Sequence, residues 1–359
     1  MKIAQIAPLY ESVPPHAYGG TERVVSYLVE ALVRQGHQVT LFASGDSVTR
    51  AKLIPACARS LRLSADCADP LTVHAILLDQ VFSRSAEFDI LHFHTDYLHF
   101  PFSRYTALPN VTTMHGRLDL PDLQLLYQHF HDVPLISISD AQRSPLKYVN
   151  WVGNVYHGLP AKLHSLRKGT GDYLAFLGRI APEKRLDRAI RIAAQAGMQL
   201  KIAAKVDKVD RAYFVSEIKP LLGRPGIEYV GEITEKEKGD FLGNALAYLF
   251  PIDWPEPFGL TMIEAMACGT PTIAFRRGSV PEIIEPGVSG FIVDTEDEAV
   301  SAIECCKNFD RRLCRKAFLR RFTAERMAEE YLAIYQKLFD NDVPTAPLHP
   351  LETDSPLVP

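Results

Sequence analysis

Two glutamates stand eight residues apart in PIDWPEPFGLTMIEAMACGTP, residues 251–271. Between them, Pro257 and Gly259 mark the turn of a strand-end loop into a helix, and Gly269 with Pro271 closes that helix. Glu256 is therefore expected on the loop and Glu264 about one turn inside the helix. The first turn, with Phe258, Gly259 and Leu260 at its entrance, presents unpaired backbone N–H groups and a positive dipole end. That is an anion site suited to a diphosphate. Carboxylates on either side of it do not bind phosphate; they accept hydrogen bonds from hydroxyl-rich groups, a sugar and a ribose.

Three further segments carry chemistry. FLGRIAPEK, residues 176–184, ends a strand and sets Arg179 and Lys184 on the loop behind it. Arginine holds a leaving diphosphate through two parallel hydrogen bonds and lysine acts as a point charge, so the pair would stabilise charge developing as a glycosidic bond breaks. With this positive charge and a helix N-terminus in place, no divalent metal is called for. AYGGTERVV, residues 17–25, places Gly19 and Gly20 at the start of a helix, where backbone can approach a phosphate or an acceptor closely. MHGRLD, residues 114–119, ends another strand at His115. Solvated loop cations, a turn glycine pair and a structural histidine are the plain alternatives at these three places. In FHTDYLH, alternation puts His92 and His94 on one strand face without an obvious third ligand, so a metal site is not expected. Glu282 in GSVPEII is expected as a helix-start residue.

The elements that must position these residues alternate. A strand at 3–7, a helix from Thr21 as cap to about 35 and a strand at 38–44 form a βαβ unit, and buried strands follow at 89–94, 111–115 and 135–139. The polar, Pro- and Gly-broken stretch 158–172 is expected as a linker. A second α/β series then runs through strands at 173–178, 199–204, 227–230, 247–251, 272–275 and 291–293. The expected fold class is α/β, with two doubly wound parallel sheets facing a cleft. The domains are 1–160, a nucleotide-binding 172–326, a helix 327–340 that crosses back, and a Pro-rich disordered tail 341–359. Net charge is 39 − 43 = −4, and residues 1–150 hold 12 basic against 14 acidic residues. Neither half is a basic lobe, which argues against nucleic acid. No apolar run approaches a membrane span, no leader peptide is evident, and the six cysteines have no C-x-x-C spacing. A cytoplasmic protein with reduced thiols and no integral membrane association is expected.

The 251–271 string resembles the motif of glycosyltransferase family 4, the retaining nucleotide-sugar enzymes of the GT-B fold, and the likeness extends over about residues 1–340. The resemblance implies that Glu256 contacts the transferred sugar, Glu264 the ribose hydroxyls, and the backbone of Phe258–Leu260 the sugar and phosphate. It matches Arg179 and Lys184 to the family's diphosphate cations, Gly19 and Gly20 to its donor-side glycine loop, and His115 to a residue touching the sugar. It implies no metal and no other cofactor. Arg185 stands where a glycine often follows the lysine, His157 where many relatives carry Asn, and Lys205 where Gly is frequent. APLYESVPPHAYGGTERVVSYL, TMHGRLDLPDL and NVYHGLP are similar to a bacterial subgroup that transfers glucose from UDP-glucose to a pterin. That likeness implies UDP-glucose as donor and a small acceptor such as tetrahydrobiopterin, with Tyr18, His94 and Asp96 on the acceptor side and Tyr10, Tyr97, Phe100 and Phe102 available for stacking. A soluble carbohydrate acceptor, a lipid-linked one, and a UDP-sugar epimerase on the same architecture stay open.

Overall fold

The computed structural model describes residues 1–16, 19–63, 67–169 and 171–340; the expected tail at 341–359 lies outside them. Two compact units divide the chain. One comprises residues 1–138 and 143–155 with the chain from 328 onward; the other comprises 139–142 and 156–327.

The first unit holds seven parallel strands: β1 (Lys2–Ile6), β2 (Gln38–Ser44), β3 (Lys52–Cys57), β4 (Ile90–Phe93), β5 (Asn110–Thr113), β6 (Leu135–Ser137) and β7 (Trp151–Asn154). Their order is β3-β2-β1-β4-β5-β6-β7. The second unit holds six: β8 (Tyr173–Arg179), β9 (Gln199–Lys205), β10 (Ile227–Gly231), β11 (Ala247–Phe250), β12 (Thr272–Phe275) and β13 (Gly290–Val293), in the order β10-β9-β8-β11-β12-β13. Every pairing within these sheets is parallel. Central strands such as IAQI and AYLF are buried throughout, because helices cover both faces of a parallel sheet.

Strand order reverses between β1 and β4 in one sheet and between β8 and β11 in the other. At such switch points the loops leaving the carboxyl ends diverge and open a crevice for ligands. FLGRIAPEK leaves β8, and the loop containing Glu256 leaves β11. The segment from Pro8 leaves β1, and His94 follows β4. The main candidate residues thus fall at the two positions where topology provides room.

Several local expectations needed correction. Strands β3 and β7 escaped the pattern because KLIPAC and WVGN are half-exposed edge strands without a continuous apolar run. The first helix is Gly20–Arg34; Gly19, not Thr21, occupies its N-cap, with no side-chain cap hydrogen bond. The stretch 158–172 is not a free linker where it is described. Arg315 donates to the carbonyls of Ala161 and His164, and Arg311 to that of Arg167, so these segments are strapped to the second unit. The helix Ala324–Phe339 sends buried Tyr331 and Tyr335 into the first unit, where they meet His92.

Candidate active site

The loop Pro251–Gly259 joins β11 to the helix Leu260–Cys268. Gly259 at its N-cap has φ 81°, and a Cβ there would stand 2.6 Å from Met262 Cε, so the turn admits no side chain without displacement. Phe258 is buried against His157, Tyr156 and Phe322, with ring centroids 4.8, 6.2 and 6.1 Å away. Its side chain anchors the loop, leaving the backbone of 258–260 at the helix entrance. Ser279 Oγ donates to the Phe258 carbonyl at 2.9 Å, and the Ser279 amide donates to the Glu256 carbonyl at 2.9 Å.

Glu256 accepts hydrogen bonds from Lys184 Nζ and, at 3.0 Å, from Trp254 Nε1. Lys184 also lies 5.0 Å from the Trp254 ring centroid. Glu264 is buried; its Oε1 accepts from Lys238 Nζ at 2.7 Å, and its Oε2 has no hydrogen-bond partner among the described residues. Arg179 donates to Asp210 at 2.8 Å and to Glu183 at 2.5 Å. The two cations expected to face a diphosphate are therefore neutralised by carboxylates of their own unit. A ligand phosphate would have to compete with those carboxylates, which keeps the cations oriented in its absence.

Asp253 ties the two loops together. Its amide donates to the Glu183 carbonyl, while its carboxylate accepts from Arg185, Arg188 and Arg277, whose guanidinium groups hold it below the usual carboxylate range despite partial burial. Arg185 adopts a left-handed backbone, φ 52°, the conformation a glycine takes freely. A forked contact to Asp187 and a 2.9 Å bond to Asp253 hold it there. The missing glycine thus leaves the turn intact. Lys205 pairs with Asp207 at 3.0 Å.

In the first unit, Gly19 packs so tightly that a Cβ would stand 2.8 Å from Pro15 Cβ; Gly20 opens the helix. Tyr18 lies outside the described residues. His115 follows β5 and lies 2.8 Å, Nε2 to Nδ1, from His94; the other ring nitrogen of His94 lies 2.8 Å from Gln5 Oε1. Burial depresses His115 to about 3 and pushes His92 and His99 well down. All three are therefore neutral near pH 7. Asp96 is exposed in left-handed backbone, φ 51°. Tyr10, Tyr97 and Phe102 are exposed, but Phe100 is fully buried in the core and is not available to stack on a ligand. Among the described residues, no group of three or more His, Cys, Asp and Glu is arranged to hold a metal, and no helix is long and apolar enough to cross a membrane.

Lys238, Asp253 and Gly278, whose backbone lies against that of Glu256, escaped sequence reasoning because their roles are made by contacts with other segments and have no local spacing. Trp254 escaped it as well, although it acts on Glu256 only two residues away. Glu282 also exceeds its expected role: its carboxylate accepts from the amides of Asp140 and Ala141 and from Tyr156 Oη.

Two families match the chain in succession: Glycosyltransferase Family 4 over residues 18–181 and Glycosyl transferases group 1 over 162–306. The chain is a glycosyltransferase family 4-like protein. The glycine loop and His115 fall in the first matched segment, and Lys184, Glu256 and Glu264 in the second. The GT-B fold of the family is also that of solved structures. Sucrose-phosphate synthase from Thermosynechococcus elongatus aligns with a TM-score of 0.78 at 17% identity, over 95% of this chain and 100% of that one. Anabaena HepE in complex with UDP-glucose aligns with a TM-score of 0.69 at 17% identity, over 95% and 99%. Among curated family relatives, N-acetyl-alpha-D-glucosaminyl L-malate synthase of Bacillus anthracis is 35% identical over 96 residues, 24% of this chain and 25% of that protein. The chain spans about half or less of the curated relatives it matches.

Proposed function

We propose that the protein is a retaining hexosyltransferase that moves glucose from UDP-glucose to a small acceptor, a pterin such as tetrahydrobiopterin. One observation carries the donor half. Glu256 stands before the N-terminus of the helix Leu260–Cys268 and Glu264 inside it, and Lys184 reaches Glu256 from the segment after the neighbouring strand β8, which ends in Arg179. In this reading the helix entrance and the two cations take the diphosphate. Glu264 Oε2 accepts from the ribose, and Glu256 holds the hexose. The cations stabilise the leaving UDP, whose phosphate helps to remove the proton of the attacking hydroxyl on the same face of the sugar. HepE supports a UDP-glucose donor, having been crystallised with that ligand on the same fold.

The acceptor half rests on the likeness of residues 7–28, TMHGRLDLPDL and NVYHGLP to the pterin-directed subgroup. Exposed Tyr10, Tyr97 and Phe102, with Asp96 nearby in sequence, suit a flat heterocycle with an amino-pyrimidine edge. The test is mass-spectrometric product detection with UDP-glucose and tetrahydrobiopterin under reducing conditions, beside sugar and lipid acceptors. A glucosylated pterin is expected. Transfer only to sugars or lipids overturns the acceptor, and conversion of UDP-glucose without any acceptor overturns the transferase reading. Activity should be unchanged in excess EDTA, since protein groups supply the positive charge; loss restored by manganese or magnesium contradicts this.

A further inference from the structure

Asp253 grips the chain on both sides of Lys184. Its amide donates to the carbonyl of Glu183 at 2.9 Å, and its carboxylate accepts from Arg185 Nη1 at 2.9 Å. Lys184 is the residue between, and its Nζ donates to Glu256. The same carboxylate accepts from Arg277 Nε at 3.1 Å. Arg277 adjoins Gly278, where a Cβ would stand 2.4 Å from the backbone nitrogen and oxygen of Glu256. One side chain on the loop after β11 thus holds the loop after β8, which carries Lys184, and the loop after β12, which abuts Glu256.

The hold on Arg185 matters most, because that residue is the strained one. Arg185 has φ 52° and caps the helix Leu186–Gln195. A residue with a Cβ prefers negative φ, and relaxation there would swing Lys184, one position earlier, off its line toward Glu256. Asp187 also takes Arg185 in a forked contact, 3.0 Å from Nε and 3.0 Å from Nη2. Asp187 lies in the first turn of the same helix, so it travels with the turn and does not fix it to another segment. Asp253, 68 residues away, does. The other two arginines on Asp253 depend on it less. Arg277 is exposed and can turn to water, and Arg188, 3.4 Å from the carboxylate, keeps a 3.1 Å bond to the Pro251 carbonyl.

We propose that Asp253 is a positioning residue for Lys184 and takes the place of a glycine at position 185, holding a left-handed turn that a side chain disfavours. That Lys184 then faces a leaving diphosphate rests on the function proposed above; its placement by Asp253 does not. The consequence is a specific dependence: the carboxylate is needed only while residue 185 carries a side chain.

The test compares Asp253→Ala in the full chain with and without Arg185→Gly. Alanine keeps the amide that donates to Glu183, so only the carboxylate is removed. Two readouts are taken. One is acetylation of Lys184 by acetic anhydride in the ligand-free chain, read by peptide mass spectrometry against exposed Lys316. The other is kcat at saturating UDP-glucose. Asp253→Ala alone should raise Lys184 acetylation, because the amine leaves Glu256, and should lower kcat by up to about 100-fold, the cost of ~1 Å at a reacting group. In the Arg185→Gly background the same substitution should leave both readouts close to those of Arg185→Gly alone. If Asp253→Ala does not fold, Asp253→Asn removes the charge at constant size and should show the same dependence on residue 185. Lys184 acetylation that is unchanged in the folded variant, or raised equally in both backgrounds, overturns the inference; a purely structural role gives the second result. Acetylation that responds while kcat does not, in a chain that transfers sugar, overturns the positioning role as well. Raised acetylation that Arg185→Gly suppresses, in a protein that transfers no sugar, leaves the placement standing and defeats the functional reading alone.

Discussion

Lys184 and Glu256, 72 residues apart, form an ion pair that joins the loop after β8 to the loop after β11. Both side chains are largely shielded, and Trp254 donates to the same carboxylate oxygen. On the function proposed above, the free chain holds the cation assigned to phosphate on the carboxylate assigned to sugar. Donor binding would then divide the pair, and the attraction each group gives up would be recovered from the diphosphate and the hexose hydroxyls.

This predicts non-additive kinetics. Lys184→Met should lower kcat ~10²–10³-fold through lost stabilisation of the leaving group. Glu256→Gln should spare UDP binding but lower transfer. The double variant should lose less than the sum, with a coupling of about 0.5–3 kcal/mol, as for residues in direct contact. Four kcat values at saturating UDP-glucose complete the cycle; strict additivity would show that the pair does not act as a unit in the reaction.

Glu264 should behave differently. With Oε1 on Lys238 and Oε2 without a partner in the described structure, it has acceptor capacity for the ribose. Glu264→Ala should weaken free UDP measurably by calorimetry. Lys238→Met should weaken it too and lower stability by ~3 kcal/mol, because it strands a buried carboxylate. Normal UDP affinity in Glu264→Ala would refute the ribose assignment.

The sequence was most legible where burial and turn chemistry coincide. LTMIEAMAC lies between Gly259 and Gly269, both left-handed, so the helix Leu260–Cys268 could be read to the residue. TIAF was equally plain as a fully buried strand. KLIPAC and WVGN were not, since half-exposed edge strands lack the apolar run that marks a central strand. The glutamates were visible as a spacing. Their partners were not, because Lys238 and Gly278 act on residues from other segments. Arg185 shows the converse: a residue type that argued against a turn is held in it by Asp187 and Asp253.

Stability should fall on mild acidification. Burial lowers His92, His99 and His115 below 6.5 in the folded chain. The unfolded chain therefore binds more protons below pH 6.5, and folding loses free energy as pH falls from 7 to 5. Each histidine that stays neutral contributes a loss of about 2 kcal/mol at pH 5. Most carboxylates titrate lower, so this window isolates the imidazoles. Urea unfolding read from Trp151 fluorescence in a Trp254→Phe background reports on the first unit. His99→Gln keeps a donor for Thr112, which now meets His99 Nε2 at 2.7 Å, and should reduce the slope by up to about 1.4 kcal/mol per pH unit. An unchanged slope would mean that His99 is not the buried neutral group described.

The sharpest structural prediction concerns Gly278, which is not itself a candidate site residue. Its φ is 52°, and a Cβ there would stand 2.4 Å from both the backbone nitrogen and oxygen of Glu256 and 2.7 Å from the Pro255 carbonyl carbon. Backbone atoms do not rotate away as a side-chain end does, so Gly278→Ala must push the Glu256 loop outward, against the two hydrogen bonds from Ser279. A displacement of ~1 Å at a reacting group costs roughly 100-fold in rate. Gly287 provides the control: its φ is 76°, but a Cβ there meets nothing within 4 Å. Gly287→Ala should carry only the left-handed cost, about 1 kcal/mol, with kcat unchanged. Gly278→Ala should lose about 100-fold in kcat while still binding UDP through Glu264, whose carboxylate is held inside the helix by Lys238. Equal kinetics in the two variants would mean that the Gly278 approach does not set the position of Glu256.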